Sequence, residues 1–103
     1  MTATPWGFSQ TTRKIAPGIM SYTTASHGGI HLSKGKNALM PEYFLRDDGW
    51  YEEDCEWAKV CLCFWDRWFA HFQRKSDMEL AKKTLSIYFP IGFSKHFPQD
   101  VPE

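Results

Sequence analysis

No stretch of the 103-residue chain approaches eighteen consecutive apolar residues, which excludes a membrane-crossing helix by length alone. Met1 to Gly7 lacks the basic-then-apolar pattern of a secretory signal, so a cytoplasmic protein with no membrane partner is expected. Cysteine is scarce and odd in number: Cys55, Cys61 and Cys63. A disulfide framework wants an even count and turn-rich spacing, whereas Cys61 and Cys63 sit inside an apolar helical pattern, so reduced and mostly buried thiols are predicted. Acid is missing from the first 41 residues, which carry four basic side chains, while the remainder holds eight basic residues and all twelve acids. Formal charge therefore cancels to zero overall but is dipolar along the chain. Four scattered positive charges fall short of a phosphate-binding stripe, and nucleic acid is not the expected partner.

Aromatic residues, by contrast, are abundant at 17%. Large rings let a small core bury much area with few residues, and a chain of this length buries roughly two thirds of its unfolded surface as one domain, residues 1–103. The spacing predicts an α+β fold with an N-terminal three-stranded antiparallel meander packed against two or three C-terminal helices. Phe8 to Ile15, Ile19 to Thr24 and Ile30 to Leu32 read as strands, joined at Ala16-Pro17-Gly18 and at Ser26-His27-Gly28-Gly29. Ser33 caps a short helix that stops before Pro41.

From Trp50 to Phe72 the pattern is helical, with Trp57, Cys61, Phe64, Trp65, Trp68 and Phe72 on one face and Glu52, Glu56, Lys59, Cys63 and Asp66 on the other. Ser76-Asp77-Met78-Glu79 reads as a capping box opening a second helix to Tyr88, with Leu80, Ala81, Thr84, Leu85 and Tyr88 inward and Pro90 as its stop. The tail from Ile91, with Pro98 and Pro102, reads as an extended strap that frays at its end.

The densest chemistry lies in Gly49-Trp50-Tyr51-Glu52-Glu53-Asp54-Cys55-Glu56-Trp57. Metal binding by Cys55, Cys61, Cys63, His27 and His31 is disfavoured, because at about 100° per residue Cys61 and Cys63 face different sides of the helix. No metal and no cofactor is predicted. A Cys55 nucleophile with His27 as base is opposed by Glu52, Glu53, Asp54 and Glu56, each of which disfavours a thiolate. Paired carboxylates for hydrolysis need to face each other across a cleft, whereas neighbouring acids on one helical turn splay apart. Glu52 and Glu53 are accordingly assigned mainly to the positive end of a helix, and it is left open whether Glu53 or Asp54 reaches back to the Ser26–Gly29 turn. No catalytic residue is assigned. A pocket made by Ser26, His27, Gly28, Gly29, Glu53, Asp54 and Cys55 remains the alternative, with Trp6, Phe8, Tyr43, Phe44, Glu52 and Glu56 as the candidate interaction surface.

The ordered pieces Thr4-Pro5-Trp6-Gly7, Ala16-Pro17-Gly18-Ile19, Ser26-His27-Gly28-Gly29, Leu32-Ser33, Met40-Pro41 and Gly49 to Cys55 resemble a small domain of unknown function found in bacteriophage, plasmid and other mobile-element proteins. The resemblance implies a mobile-element origin and a compact α+β unit, and supplies no reaction. By analogy of genomic context, it implies a non-enzymatic accessory protein that binds and inhibits a host protein, foremost a component of a CRISPR or restriction system. A homodimer is a further expectation, since five tryptophans leave aromatic area to bury between subunits.

Overall fold

The computed structural model describes residues 2–101. A four-stranded antiparallel sheet runs in sequence order through β3 (Thr11–Ala16), β4 (Ile19–Thr23), β5 (Gly28–Leu32) and β6 (Trp50–Glu52). Ahead of it, β1 (Ala3–Thr4) and β2 (Gly7–Phe8) form a separate two-stranded hairpin. The turn between β3 and β4 needs Gly18, whose φ of +80° is a left-handed value that side chains disfavour. The expected three-strand meander is therefore present but incomplete.

Its fourth strand is a correction to the helical reading of Trp50 to Glu52. Gly49 turns the chain at φ +75°, and the edge of β5 then offers unpaired backbone groups that β6 satisfies, with Ile30 opposite Tyr51 and His31 opposite Trp50. Alternation sends Tyr51 inward, where it is fully buried, and Trp50 and Glu52 to the outer face. The Tyr51 hydroxyl donates to Asn37 Oδ1 at 2.6 Å and accepts from the Arg46 backbone N–H at 3.0 Å, which satisfies it within the core. The strand thus clamps α1 (Lys34–Asn37), whose predicted cap is present as a bond from Lys36 N–H to Ser33 Oγ.

The single long helix is in fact two, α2 (Trp57–Cys63) and α3 (Trp65–Phe72), broken where Phe64 adopts φ −124° and ψ 43°. The inward periodicity survives the break: Ala58, Val60, Cys61 and Trp68 are buried, with Trp57, Phe64, Trp65 and Phe72 packed partly against them. Lys59, expected on the outer face, is 4% exposed. Its ammonium lies 4.1 Å from the Phe89 ring centroid and 3.1 Å from Glu56 Oε2, so burial is compensated by an aromatic face and a carboxylate.

In α4 (Ser76–Tyr88), Ala81 and Leu85 face inward as predicted, but Leu80 and Tyr88 are exposed. The capping box is absent: Lys75 is the N-cap, no side-chain cap bond forms, and Asp77 is pulled into the core instead. α4 ends at Tyr88 ahead of Pro90, as predicted, and Pro90 also starts the next helix, occupying the first turn of α5 (Pro90–His96), where its missing N–H costs nothing. The tail is therefore helical, not an extended strap. A short 3₁₀ turn, Pro98–Asp100, follows, and Pro102 lies outside the described residues. Phe93 anchors α5 in the core, and Gly92 leaves space filled by the ring of Phe44, which is fully buried. The α2 helix packs on β5, β6 and α4, and α3 on β3, so the helices cover one face of the sheet.

Candidate functional site

The loop between β4 and β5 is organised by Thr24. Its hydroxyl accepts from the backbone N–H of His27 at 3.1 Å and donates to the His27 carbonyl at 2.6 Å. Sequence reasoning placed the turn on Ser26 to Gly29 and missed Thr24, whose signal is a threonine three residues before the histidine. Gly28 and Gly29 are strand residues, not turn residues. Glycine is required there by crowding: a Cβ on Gly28 would lie 2.7 Å from Tyr22 O and 3.0 Å from Glu53 Oε2, and one on Gly29 would meet the Trp6 ring and, at 2.5 Å, Tyr51 O.

This loop meets the exit of β6. Glu53 N–H donates to Gly28 O at 2.9 Å, and Asp54 N–H donates to Glu52 Oε1 at 2.8 Å. One ligand atom each from His27, Glu52 and Asp54 lie within 4.8 Å of one another. Asp54 and Glu52, a strand residue, thus approach His27, while Glu53 packs beside Gly28. One imidazole and two carboxylates converging in this way form a donor set that suits a divalent ion, and they are the residues that could hold one. Glu52 and Glu53 do not serve a helix N-terminus, since α2 begins at Trp57 and has no acid in its first turn.

The cysteines are free thiols. Burial, followed by the charges of Glu52 and Glu56, raises the Cys55 pKa above its ordinary value, against the weaker pull of Lys59. Burial pushes Cys61 and Cys63 up to about 12. Cys61 lies 3.8 Å from the backbone carbonyl of Asp77, to which its thiol donates. Each environment favours the thiol over the nucleophilic thiolate.

Two clefts flank this region, and between them they take in only Gly29, Glu53 and Cys55 of the predicted pocket. The first, about 390 Å³, lies between the helix-covered face of the sheet and the α3–α4 junction and takes in Gly29 and Glu53. The second, about 470 Å³, lies between Trp6, the Leu45–Asp48 segment and the start of α2, and takes in Glu52, Cys55 and Glu56. Neither is lined by Ser26, His27, Gly28 or Asp54. In the second cleft Glu56 joins two cations, Lys59 and, at 3.4 Å, Arg46, whose pKa is raised chiefly by that carboxylate.

The whole chain, residues 1–103, matches one domain family. It belongs to the Domain of unknown function family DUF7007. No curated protein and no solved structure matches it.

Of the surface predicted for this DUF7007 chain, Phe8 and Tyr43 are exposed, Trp6, Glu52 and Glu56 are half-buried, and Phe44 is a core residue. Phe44 is the clear correction: the segment after Pro41 turns back so that its ring packs against Gly92, His96 and Phe97. Trp6 is held by Trp50, edge to face at 5.7 Å between centroids. What sequence reasoning missed is the apolar surface further on. Leu80, Ile87, Tyr88 and Ile91 are 53%, 58%, 64% and 67% exposed. No described helix is long and apolar enough to cross a membrane.

Proposed function

We propose that the protein is a non-enzymatic binding protein, an accessory protein of a bacteriophage or plasmid that acts in the cytoplasm of a bacterial host by inhibiting a host protein. A component of a CRISPR or restriction system is the foremost target. The observation that supports binding is the unpaired apolar surface of the C-terminal helices. Leu80 and Ile87 are two helical turns apart on one side of α4, with Tyr88 beside them and Ile91 in the first turn of α5. Large side chains left open along one helix face mark an interaction surface more often than an accident of packing. The raised thiol pKa values speak against a cysteine nucleophile.

The test is reconstitution. Purified host defence complexes are assayed with and without the protein, and with an Ile87→Glu/Ile91→Glu variant whose circular dichroism matches the parent. Inhibition by the parent and its loss in the variant is expected. Failure to inhibit any restriction or CRISPR effector, or undiminished inhibition by the variant, overturns the reading. Sedimentation of both forms tells whether the same surface instead holds a homodimer.

A second reading, a small enzyme or ligand-binding domain centred between the Ser26–Gly29 turn and Glu52–Cys55, is favoured by the approach of His27, Glu52 and Asp54 to within 4.8 Å. Loss of function in His27→Ala and Asp54→Ala, with the α4 variant unaffected, would decide for it.

A further inference from the structure

The first cleft shares only Leu80 with the partner-binding surface, and the rest of its lining is not used by that reading. Four aromatic residues line it, Tyr22, Trp57, Trp68 and Phe72, and the last three pack in series with tilted rings: Trp57 against Trp68 at 5.7 Å between centroids, and Trp68 against Phe72 at 4.6 Å. Its other walls are Ile15 and Ile30 from the sheet, and Ser21 and Thr23 supply hydroxyl groups. Three charged side chains reach it, and their states differ. Asp77 is engaged: its Oδ2 accepts from Trp68 Nε1 at 2.9 Å and from Arg74 Nε at 3.0 Å. Arg74 is engaged by that carboxylate and lies over the Phe72 ring, 4.6 Å from its centroid. Glu53 alone has no ion-pair partner among the described residues, and it is exposed.

From this arrangement we infer that the cleft is a binding site for a small organic monocation with a flat or apolar body. The pair of Asp77 and Arg74 cancels, which leaves the Glu53 carboxylate as the net charge facing the ligand. Aromatic faces attract cations through their quadrupole, and Phe72 already holds a guanidinium in this way. An anion would meet Glu53 with only the already paired Arg74 to offset it. A neutral ring would gain the stacking and lose the charge. The volume, about 390 Å³, falls in the range of small-molecule pockets, at its smaller end. Glu53 is positioned for this by the same contact that crowds Gly28, its backbone N–H bonded to Gly28 O and its carboxylate beside that strand.

Benzamidine, neutral benzamide and anionic benzoate are near-isosteric probes of this idea. Each is titrated into the full chain while the indole N–H resonances of Trp57 and Trp68 are followed by NMR. Saturable shifts with benzamidine are expected, with benzamide about fivefold weaker and benzoate weaker still. Glu53→Gln removes the charge at an exposed position and is expected to bring benzamidine down to the affinity of benzamide. Ser21→Phe, which places a ring in the cleft from β4, is expected to abolish binding of both while the dispersed spectrum is kept. Equal binding of the three probes, an unchanged benzamidine preference in Glu53→Gln, unchanged binding in folded Ser21→Phe, or no saturable shift at tens of millimolar probe each overturns the proposal.

Discussion

Asp77 ties the α3–α4 junction together, and its removal should be among the most damaging single changes in the chain. Its carboxylate is nearly buried, at 7% residue exposure, and its Oδ2 accepts from both Trp68 Nε1 and Arg74 Nε. In Asp77→Ala the indole N–H of Trp68, itself 5% exposed, is left in the core with no acceptor. An orphaned buried donor of that kind costs about 1–3 kcal/mol. The Arg74 partner is a smaller loss: its side chain is 56% exposed, and solvent-screened pairs contribute at most about 1 kcal/mol. The sum is about 1–4 kcal/mol, and at a urea m-value of about 1–2 kcal/mol/M the middle of that range lowers the midpoint by about 2 M. Asp77→Asn keeps an oxygen for Trp68 and should lose about half as much. Urea unfolding followed by tryptophan fluorescence and circular dichroism measures both. The decisive comparison is a cycle with Trp68→Phe, which removes the donor, so that Asp77→Ala should cost about 1–2 kcal/mol less in that background. Strict additivity, or an Asp77→Ala midpoint equal to that of the parent, would refute the account of this junction.

Three further outcomes are expected. Gly29→Ala should destabilise by about 1–3 kcal/mol through collision with the Trp6 ring and Tyr51 O, whereas Gly35→Ala, in α1 with open space around it, should stabilise by about 0.5–1 kcal/mol; urea midpoints moving the same way in both would refute the crowding argument. In reducing buffer, stability should be fully present below the ordinary thiol value of 9.0 and fall as pH rises towards about 12, because the folded state raises Cys55, Cys61 and Cys63 and so resists forming the thiolates that the unfolded chain forms freely; a flat urea midpoint between pH 8 and pH 10 would contradict it. Finally, His96 Nε2 is buried with no hydrogen-bond partner among the described residues, its ring against Phe44 and Tyr43, so His96→Phe should raise Tm by about 4 °C for about 1 kcal/mol recovered, and a lower Tm would mean that the nitrogen is satisfied.

How much of this was legible follows from which forces are local. The inward rhythm Trp57, Cys61, Trp68, Phe72 is a property of backbone pitch and could be read directly. The break at Phe64 could not, because residues on either side keep three- and four-residue spacing. Trp50 to Glu52 fits either a helix start or a strand over so short a span, and the deciding partner, the open edge of β5, lies about twenty residues earlier. Ser76 to Glu79 has the letters of a capping box, yet Asp77 gains more from Trp68 and Arg74 than the helix start gains from capping. Gly28-Gly29 signals a turn as readily as a crowded strand, and nothing near it announces that Trp6 will lie on top.

The same division governs the candidate sites. The density of carboxylates at 52–54 and the histidine at 27 was legible, whereas the approach of Glu52 to His27 was not, because it depends on Glu52 lying in a strand beside β5. The aromatic cleft was not, since its walls come from β3, β4, β5, α2, α3 and α4 and no two of its aromatics announce a shared cavity. Periodicity places Trp57, Trp68 and Phe72 together as core and stops there. Only the tertiary arrangement sets these tilted rings along a cleft beside a carboxylate with no ion-pair partner among the described residues, and that juxtaposition is what the proposed selection for positive charge rests on.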